Sequence, residues 1–316
     1  MKTNVCIIGC GTISSVHIEA VKKCKNARLY GICDIDETKK AVAEKENVKF
    51  FESFDEALSD KAVDAVHICT PHYLHFEMIK KALLFGKRIV CEKPCVITKT
   101  EFEQLKSLDG IEKVCFVMQN RLNRSICELK NIIDNKVFGE ITGINGILTW
   151  HRTKEYYEKA AWRGKWATEG GGVLINQAIH TLDLMSYLAG DIVGVKAKTA
   201  NFSLSDCIEV EDTCMAYLNF KSGISGVFFA TNANGEDDDV QVTVYFEKGI
   251  AKCVMGKLFV NGEEICANEK AVIGKNYWGS RHEKLISDFY DSNRFFDIYS
   301  IENTMNTLFS MYENAK

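Results

Sequence analysis

Val5-Cys6-Ile7-Ile8-Gly9-Cys10-Gly11-Thr12-Ile13-Ser14 is the stretch that decides the fold. Four apolar residues read as a buried strand, and from Ile13 the apolar positions recur at helical spacing. Between them, glycine lets the backbone turn tightly and approach a diphosphate, which then rests on the amides of a helix N-terminus. Ser14 stands where a third glycine is usual and is small enough for close helix–strand packing. Gly9, Gly11, Thr12 and Ile13 are therefore candidate nucleotide contacts. A glycine-rich turn is a weak signal alone, and the plain alternative is an ordinary turn. Asp34, at the end of the second apolar run, strengthens it. A carboxylate there accepts hydrogen bonds from both ribose hydroxyls and repels a 2′-phosphate, which favours NAD over NADP. A methyltransferase would carry a similar loop and acid, so the pattern implies a nucleotide but not hydride transfer.

Outward from this stretch, apolar runs at 5–8, 29–33, 63–69, 88–91 and 114–118 alternate with helical patterns at 13–24, 37–44, 73–85 and 101–108. Strands that are apolar throughout and alternate with helices imply a parallel, doubly wound α/β sheet covered on both faces. After about residue 122 the texture changes. A helical stretch at 124–135 leads into a longer strand at 141–151. A helix at 172–188 follows, then successive strands from 193 to 255, then helical stretches at 277–293 and 300–312. Strands without intervening helices point to a mostly antiparallel sheet. The expected organisation is a Rossmann domain over 1–121 and a substrate-binding and oligomerisation α/β domain over 122–316. The last helix is expected to pack back on the first domain.

Composition narrows the function classes. Of the 316 residues, 46% are hydrophobic and 26% charged, enough for a large core and inconsistent with a disordered chain. The net charge of −4 leaves no basic field for a nucleic-acid backbone. The 13 cysteines form no Cys-x-x-Cys pair and sit mostly inside apolar runs, so buried thiols in a reducing cytoplasm are expected, without a metal site. No apolar stretch has the length of a membrane span.

Only two prolines occur, Pro71 in Thr70-Pro71-His72 and Pro94 in Glu92-Lys93-Pro94, both just past strand ends. In an open α/β sheet the ligand crevice lies outside those ends, so both turns should line it. Lys93-Pro94 is a candidate cis bond, and Lys93 would face inward, where a lysine is ordinarily a solvated charge. A third group follows Glu169-Gly170-Gly171-Gly172. On a continuous helix Asn176, His180 and Asp183 would fall within about 60° of one another, a polar stripe on an otherwise apolar segment. Buried polar groups need partners; an Asn/His pair facing one way points to ligand binding, with Asp183 orienting His180.

Together these pieces resemble the Gfo/Idh/MocA family of NAD(P)-dependent oxidoreductases, named after glucose–fructose oxidoreductase and inositol dehydrogenase. The resemblance rests on Gly9–Ser14, Asp34, Thr70-Pro71 with His75, Glu92-Lys93-Pro94 and the segment 170–183. It implies a Rossmann domain followed by an α/β domain with an open-faced sheet, a catalytic Lys93 and a substrate-facing His180. It further implies cofactor contacts at Thr70, Pro71, His75, Glu92 and Asn120, and substrate contacts at Asn176, Trp162 and Arg163. Tyr277 and His282 resemble a late pocket segment. Asn176 stands where inositol-type members have aspartate, and Asn-Gln-x-x-His is similar to the branch with nucleotide-sugar 3-dehydrogenases. His72 replaces the usual asparagine after Thr-Pro.

The expected activity is NAD-dependent oxidation of a ring hydroxyl on a sugar, nucleotide sugar or cyclic polyol. Lys93 serves as general acid/base with His180, and Asn176 donates to a neighbouring hydroxyl. Alternatives are an NAD-dependent glycosidase or lyase using transient oxidation, and a non-catalytic NAD-binding regulator, which would need neither Lys93 nor His180. A homodimer or homotetramer is expected through the open sheet face. Arg121, His151, Arg152, Arg163 and Lys165 would surround the entrance with positive charge and favour an anionic substituent.

Overall fold

The computed structural model describes residues 1–254, 256–268 and 281–315. They form two units: 1–96, 100–119 and 281–300 make the first, and 97–99, 120–254, 256–268 and 301–315 the second.

The first unit is built on six parallel strands, β1 (Thr3–Ile8), β2 (Ala27–Cys33), β3 (Lys49–Phe51), β4 (Ala65–Ile68), β5 (Arg88–Cys91) and β6 (Val114–Phe116), in the order β3-β2-β1-β4-β5-β6. The burial of β4 along its whole length and of Val5–Ile8 in β1 explains their apolar character. This is the doubly wound order, and strand order reverses between β1 and β4, where a crevice opens outside the carboxyl ends. The turns singled out from sequence leave from such ends: Gly9 follows β1, Asp34 follows β2, Thr70-Pro71 lie just beyond β4, and Glu92-Lys93-Pro94 follow β5. The Lys93–Pro94 peptide is cis. Gly9 has φ +89°, and a Cβ there would lie 2.9 Å from the Cys69 carbonyl oxygen, so only glycine fits beside the β4 turn.

Helix His282–Asp291 packs against helix Ser14–Lys23 in this unit. Asp291 accepts the Asn26 backbone N–H (3.0 Å), and Glu283 pairs with Lys23 (2.7 Å). The expected helix at 277–293 thus begins at His282 within the described residues; Tyr277 lies outside them. The last helix, Ile298–Asn314, falls mainly in the second unit, and helix His282–Asp291 in the first. Two short elements of this unit were not legible in the sequence, β3 and helix Phe54–Ser59, and in the second unit helix Lys154–Glu158 and the strands at 257–260 and 263–267 were not either. Each is too short to show a period, although Ser53, whose Oγ accepts the Glu56 N–H (3.1 Å), is a recognisable N-cap.

The second unit carries eight strands among the described residues, β7 (Ile141–Thr149), β8 (Ile192–Ala200), β9 (Thr213–Phe220), β10 (Ser225–Thr231), β11 (Gln241–Phe246), β12 (Gly249–Val254), β13 (Lys257–Val260) and β14 (Glu263–Ala267). Their order is β14-β13-β12-β11-β7-β10-β9-β8. Of these, only β7 and β10 pair in parallel, as expected for a mostly antiparallel sheet. Helix Ile179–Ala189 lies on β7 and β11, and helix Arg124–Asp134 on β12–β14. Gly146 permits this approach, since a Cβ there would sit 2.4 Å from Met185 Sδ. Tyr217 of β9, paired across the ladder with Val227 of β10, is exposed, as are Val227 itself, Met215 and Ile250.

The single helix expected at 172–188 is two, Val173–Asn176 and Ile179–Ala189. The Ala178 N–H reaches back five residues to the Val173 carbonyl (2.8 Å), a wide turn that interrupts the ladder. Gln177 sits buried in the break, bonded to the Tyr156 hydroxyl (3.2 Å) and to Asn232 (3.0 Å). Among the described residues all thirteen cysteines are free and ten are buried; burial pushes the Cys10 thiol up to about 12. No helix among the described residues is long and apolar enough to cross a membrane.

Candidate active site

In the first unit, the turn after β1 delivers the chain into helix Ser14–Lys23 with no side chain capping its first amides. Gly11 is exposed, and a Cβ there would meet nothing within 4 Å. Open amides beside an open glycine suit a diphosphate, so Gly9, Gly11, Thr12 and Ile13 fit the dinucleotide that the sequence implies. Asp34 is half-buried and aimed back at this turn: its Oδ2 accepts the Cys10 N–H (2.6 Å) and its Oδ1 the Asp36 N–H (2.9 Å). Those bonds fix the carboxylate, whose second lone pairs remain able to accept ribose hydroxyls.

His75 and Glu92, expected at the cofactor, act on the crevice through its turns. The His75 ring is buried, with Nδ1 2.7 Å from the Pro94 carbonyl and Nε2 2.9 Å from the Thr70 carbonyl. Only an imidazolium would donate to both. Burial holds the group below its ordinary pKa, so the ring is neutral and donates one of the two. The ring thus sits between the Thr70-Pro71 turn and the Pro94 turn and bonds to one of them.

Glu92 is braced from three sides. Its Oε1 lies 2.9 Å from His17 Nε2 and 3.5 Å from His282 Nε2, and its Oε2 accepts the Lys93 backbone N–H (3.2 Å). Behind His17, Nδ1 meets His67 Nδ1 (3.0 Å), whose Nε2 meets the Tyr290 hydroxyl (2.9 Å). One proton ordering satisfies the whole row with neutral rings. Tyr290 donates to His67, His67 to His17, and His17 to Glu92. Burial alone would raise the Glu92 carboxyl, but the bonds from His17 and His282 hold it well below the usual carboxylate range. His17, Glu92 and His282 are also the one group among the described residues whose ligand atoms lie close enough, within 4.8 Å, to share a metal ion. The row anchors the backbone of half-buried Lys93. His282 belongs to this brace in the first unit.

In the second unit, every residue from 171 to 185 is buried except Asn176 and His180, four positions apart. The polar stripe of the sequence thus opens at two side chains only. Three buried carboxylates shape this segment. Glu211 accepts the Gly172 N–H (2.9 Å), the Leu174 N–H (3.0 Å) and the Tyr312 hydroxyl (2.9 Å); burial pushes it up to about 7. Glu169, fully buried, accepts the Gly164 N–H and the Asn176 side-chain amide.

Asp183, the third, corrects an expectation. Its carboxylate is held by Arg121 in a bidentate pair (2.6 and 2.8 Å) and by the Thr304 hydroxyl (2.8 Å). Arg121 is buried with it, so its charge is spent on Asp183 and does not reach an entrance. Arg152 is likewise paired, with Asp237 at 2.7 Å, and His151 Nδ1 faces the Asn234 carbonyl (2.6 Å). Arg163 lies over the Tyr156 ring at 4.2 Å and donates to the Tyr156 carbonyl (3.0 Å). The Trp162 carbonyl accepts the Thr168 hydroxyl (2.6 Å), and Asn120 Oδ1 accepts from Asn123 (3.3 Å). Sequence reading missed His17, His67, Tyr290, Glu211 and Tyr312. For His17, His67, Tyr290 and Tyr312 the only signal was their type, polar groups inside apolar helices and strands; Glu211 lies between strands and carried none.

Comparison with known proteins places both halves. Residues 3–119 match the model of the oxidoreductase family with an NAD-binding Rossmann fold, and 126–252 match the GFO/IDH/MocA C-terminal domain. Myo-inositol 2-dehydrogenase of Thermotoga maritima is 26% identical over 254 residues, 77% of this chain and 72% of the relative. The WlbA dehydrogenase of Bordetella pertussis, solved with NADH and UDP-GlcNAcA, is 26% identical. It superposes with a TM-score of 0.88 over 99% of this chain and 95% of its own. The Chromobacterium violaceum WlbA dehydrogenase, in complex with the same two molecules, is 28% identical with a TM-score of 0.85, over 99% and 94% of the two chains.

Proposed function

The chain belongs to the GFO/IDH/MocA family of NAD-binding oxidoreductases, and from that premise we propose that it is an NAD-dependent dehydrogenase acting on a ring hydroxyl of a sugar, nucleotide sugar or cyclic polyol. The observation that carries this reading is the opening of an otherwise buried segment at Asn176 and His180 alone. Bound NAD supplies the hydride acceptor. The chain must then hold the substrate hydroxyl and remove its proton. Lys93, half-buried on a turn braced by Glu92, is assigned that proton. His180 holds the same hydroxyl or shares the proton. Trp162, Arg163 and Tyr277 are assigned to substrate, Tyr277 lying outside the described residues. The relatives act on a cyclic polyol or are solved with a nucleotide sugar, which supports this substrate range. With Arg121 and Arg152 paired to carboxylates, the case for a substrate defined by negative charge is reduced to Arg163 and Lys165.

The test is a thermal-shift and NADH-absorbance screen of the purified protein against NAD, NADP, sugars, UDP-sugars and polyols. Stabilisation by NAD with NADH formed from a ring alcohol supports the reading; no response to either cofactor overturns it. Asp34 sets the cofactor preference. Two unit charges ~4 Å apart at an effective dielectric of ~20 repel by ~4 kcal/mol, less where solvent screens them. NAD is expected to bind at least about tenfold tighter than NADP in titration calorimetry, and equal affinities would remove Asp34 from that role.

The exposed Met215, Tyr217, Val227 and Ile250 support self-association through the sheet face that carries Tyr217 and Val227. Light scattering at micromolar concentration is expected to give a dimer or tetramer mass, and Tyr217→Lys with Val227→Lys to lower it. A sharp monomer mass for the unaltered protein contradicts this assignment.

A further inference from the structure

We infer that Glu211 is a positioning residue for the substrate segment: by holding the amides of residues 172–174 it fixes the start of the stretch that carries Asn176 and His180. The inference rests on the dehydrogenase reading for the role of those two residues, but not for its geometry. Helix Val173–Asn176 has no side chain of its own capping its first amides. Three consecutive N–H groups at its start go instead to Glu211. The Glu211 Oε2 accepts the Gly172 N–H (2.9 Å), its backbone carbonyl the Val173 N–H (3.1 Å), and its Oε1 the Leu174 N–H (3.0 Å). These are donors that a helix start cannot pair internally. Asn176 and His180 follow at once, the two positions of 171–185 that are not buried.

Glu211 is itself held from behind. Asp212 is fully buried, and its carboxylate accepts the Phe202 and Ser203 N–H groups (2.9 and 2.7 Å). The Tyr312 hydroxyl of the last helix donates to Glu211 Oε1 (2.9 Å). A Cβ at Gly172 would lie 1.8 Å from the Glu211 carbonyl oxygen, and one at Gly171 1.9 Å from the Tyr312 hydroxyl. The glycines before the site are thus what lets Glu211 and Tyr312 come so close.

The carboxylate is met by donors: two backbone amides, the Tyr312 hydroxyl and its own N–H. An ionised carboxylate suits them because it only accepts, and its charge makes such bonds roughly twice as strong. Glutamine does not suit them. Whichever oxygen its NH₂ replaces, a donor faces the Gly172 or the Leu174 N–H, and a backbone N–H cannot turn away. A proton on Glu211 acts more mildly: Tyr312 can reverse and accept it, but the amide bonds lose their charge. Burial, working against those bonds, places this change at about 7. The titratable groups around Glu211 are Tyr312 from the last helix, Tyr157 from helix Lys154–Glu158, Cys214 from β9 and Glu169 from before the glycines. Burial raises Tyr312, Tyr157 and Cys214, so they stay protonated through neutrality.

The test is Glu211→Gln, which leaves Glu169 in place, with Tyr312→Phe beside it. The probe is whichever of myo-inositol, D-glucose and UDP-glucose the unaltered enzyme oxidises fastest. At about pH 8.5, E211Q should lower kcat/KM by about tenfold or more, the size of one mispaired buried group, with NAD affinity unchanged. At about pH 6 the deficit should shrink to about threefold or less, because Glu211 in the unaltered enzyme has then lost its charge as well. A merely structural lesion gives the same deficit at both pH values; that result, or equal activity, overturns the inference. Y312F keeps both amide bonds and should stay within about threefold of the unaltered enzyme at pH 8.5. A loss in Y312F as large as in E211Q also overturns it. If E211Q does not fold, NMR of the unaltered protein decides. The Gly172 and Leu174 amide protons should shift together as pH passes about 7, and the Val173 amide, held by a carbonyl, should shift less. Absence of that shared titration overturns the inference. If no probe is turned over, the dehydrogenase reading fails separately and the same titration decides whether Glu211 holds the segment.

Discussion

Replacing Lys93 by methionine should lower kcat by about 10²- to 10⁴-fold, the range for loss of a positioned general acid–base group. NAD affinity should stay within about twofold, because the methionine keeps the length of the side chain and leaves the β5 turn intact. That turn does not depend on the ammonium group. It is held by Glu92, which takes the Lys93 backbone N–H and is itself held by His17 and His282. Steady-state kinetics and calorimetry on the same preparation separate the two effects. Near-normal kcat would take Lys93 out of the chemistry, whereas joint loss of kcat and NAD binding would make it a structural lysine.

The second large effect is on stability. Arg121→Met should cost about 3–5 kcal/mol, because it leaves Asp183 charged and buried with only the Thr304 hydroxyl among the partners described. For a unit of this size that is a fall in melting temperature on the order of 10 °C. The double variant Arg121→Met with Asp183→Leu should be clearly more stable than Arg121→Met, since no charge is then stranded. A melting temperature for Arg121→Met within about 2 °C of the unaltered protein would mean that water or another group reaches Asp183.

Much of this was legible in the sequence, for reasons that differ from place to place. The five apolar runs of the first third gave five of its six strands, β1, β2, β4, β5 and β6, because buried strands read as continuous apolar runs. Gly9 and Pro94 marked turns because backbone geometry restricts which residues can stand there. The three-residue β3 left no period to detect. The break at Gln177-Ala178 was invisible because both its flanks are apolar, and the face computed for a continuous helix was therefore only partly right. Asn176 and His180 do open together; Asp183, placed on the same face by counting, turns instead to Arg121.

The partners of the buried charges were the least legible part. Arg121 and Asp183 are sixty-two positions apart, Glu92 and His17 seventy-five. Spacing carries no information at such range, so nothing in the sequence takes Arg121 from the charges expected around the entrance and pairs it with Asp183. Glu169 stood in plain view before three glycines, but nothing local says that its carboxylate folds back onto Asn176.

The central claim is net hydride removal from a ring alcohol, and counting NADH formed per subunit tests it most directly. Purified protein freed of bound nucleotide would be given excess NAD and each sugar, UDP-sugar and polyol in turn. Accumulation of many NADH per subunit with at least one of them, abolished in Lys93→Met, is the expected result. Product formed with no more than one NADH per subunit would instead indicate transient oxidation followed by re-reduction. NAD binding without any chemistry across the whole panel would contradict the dehydrogenase assignment.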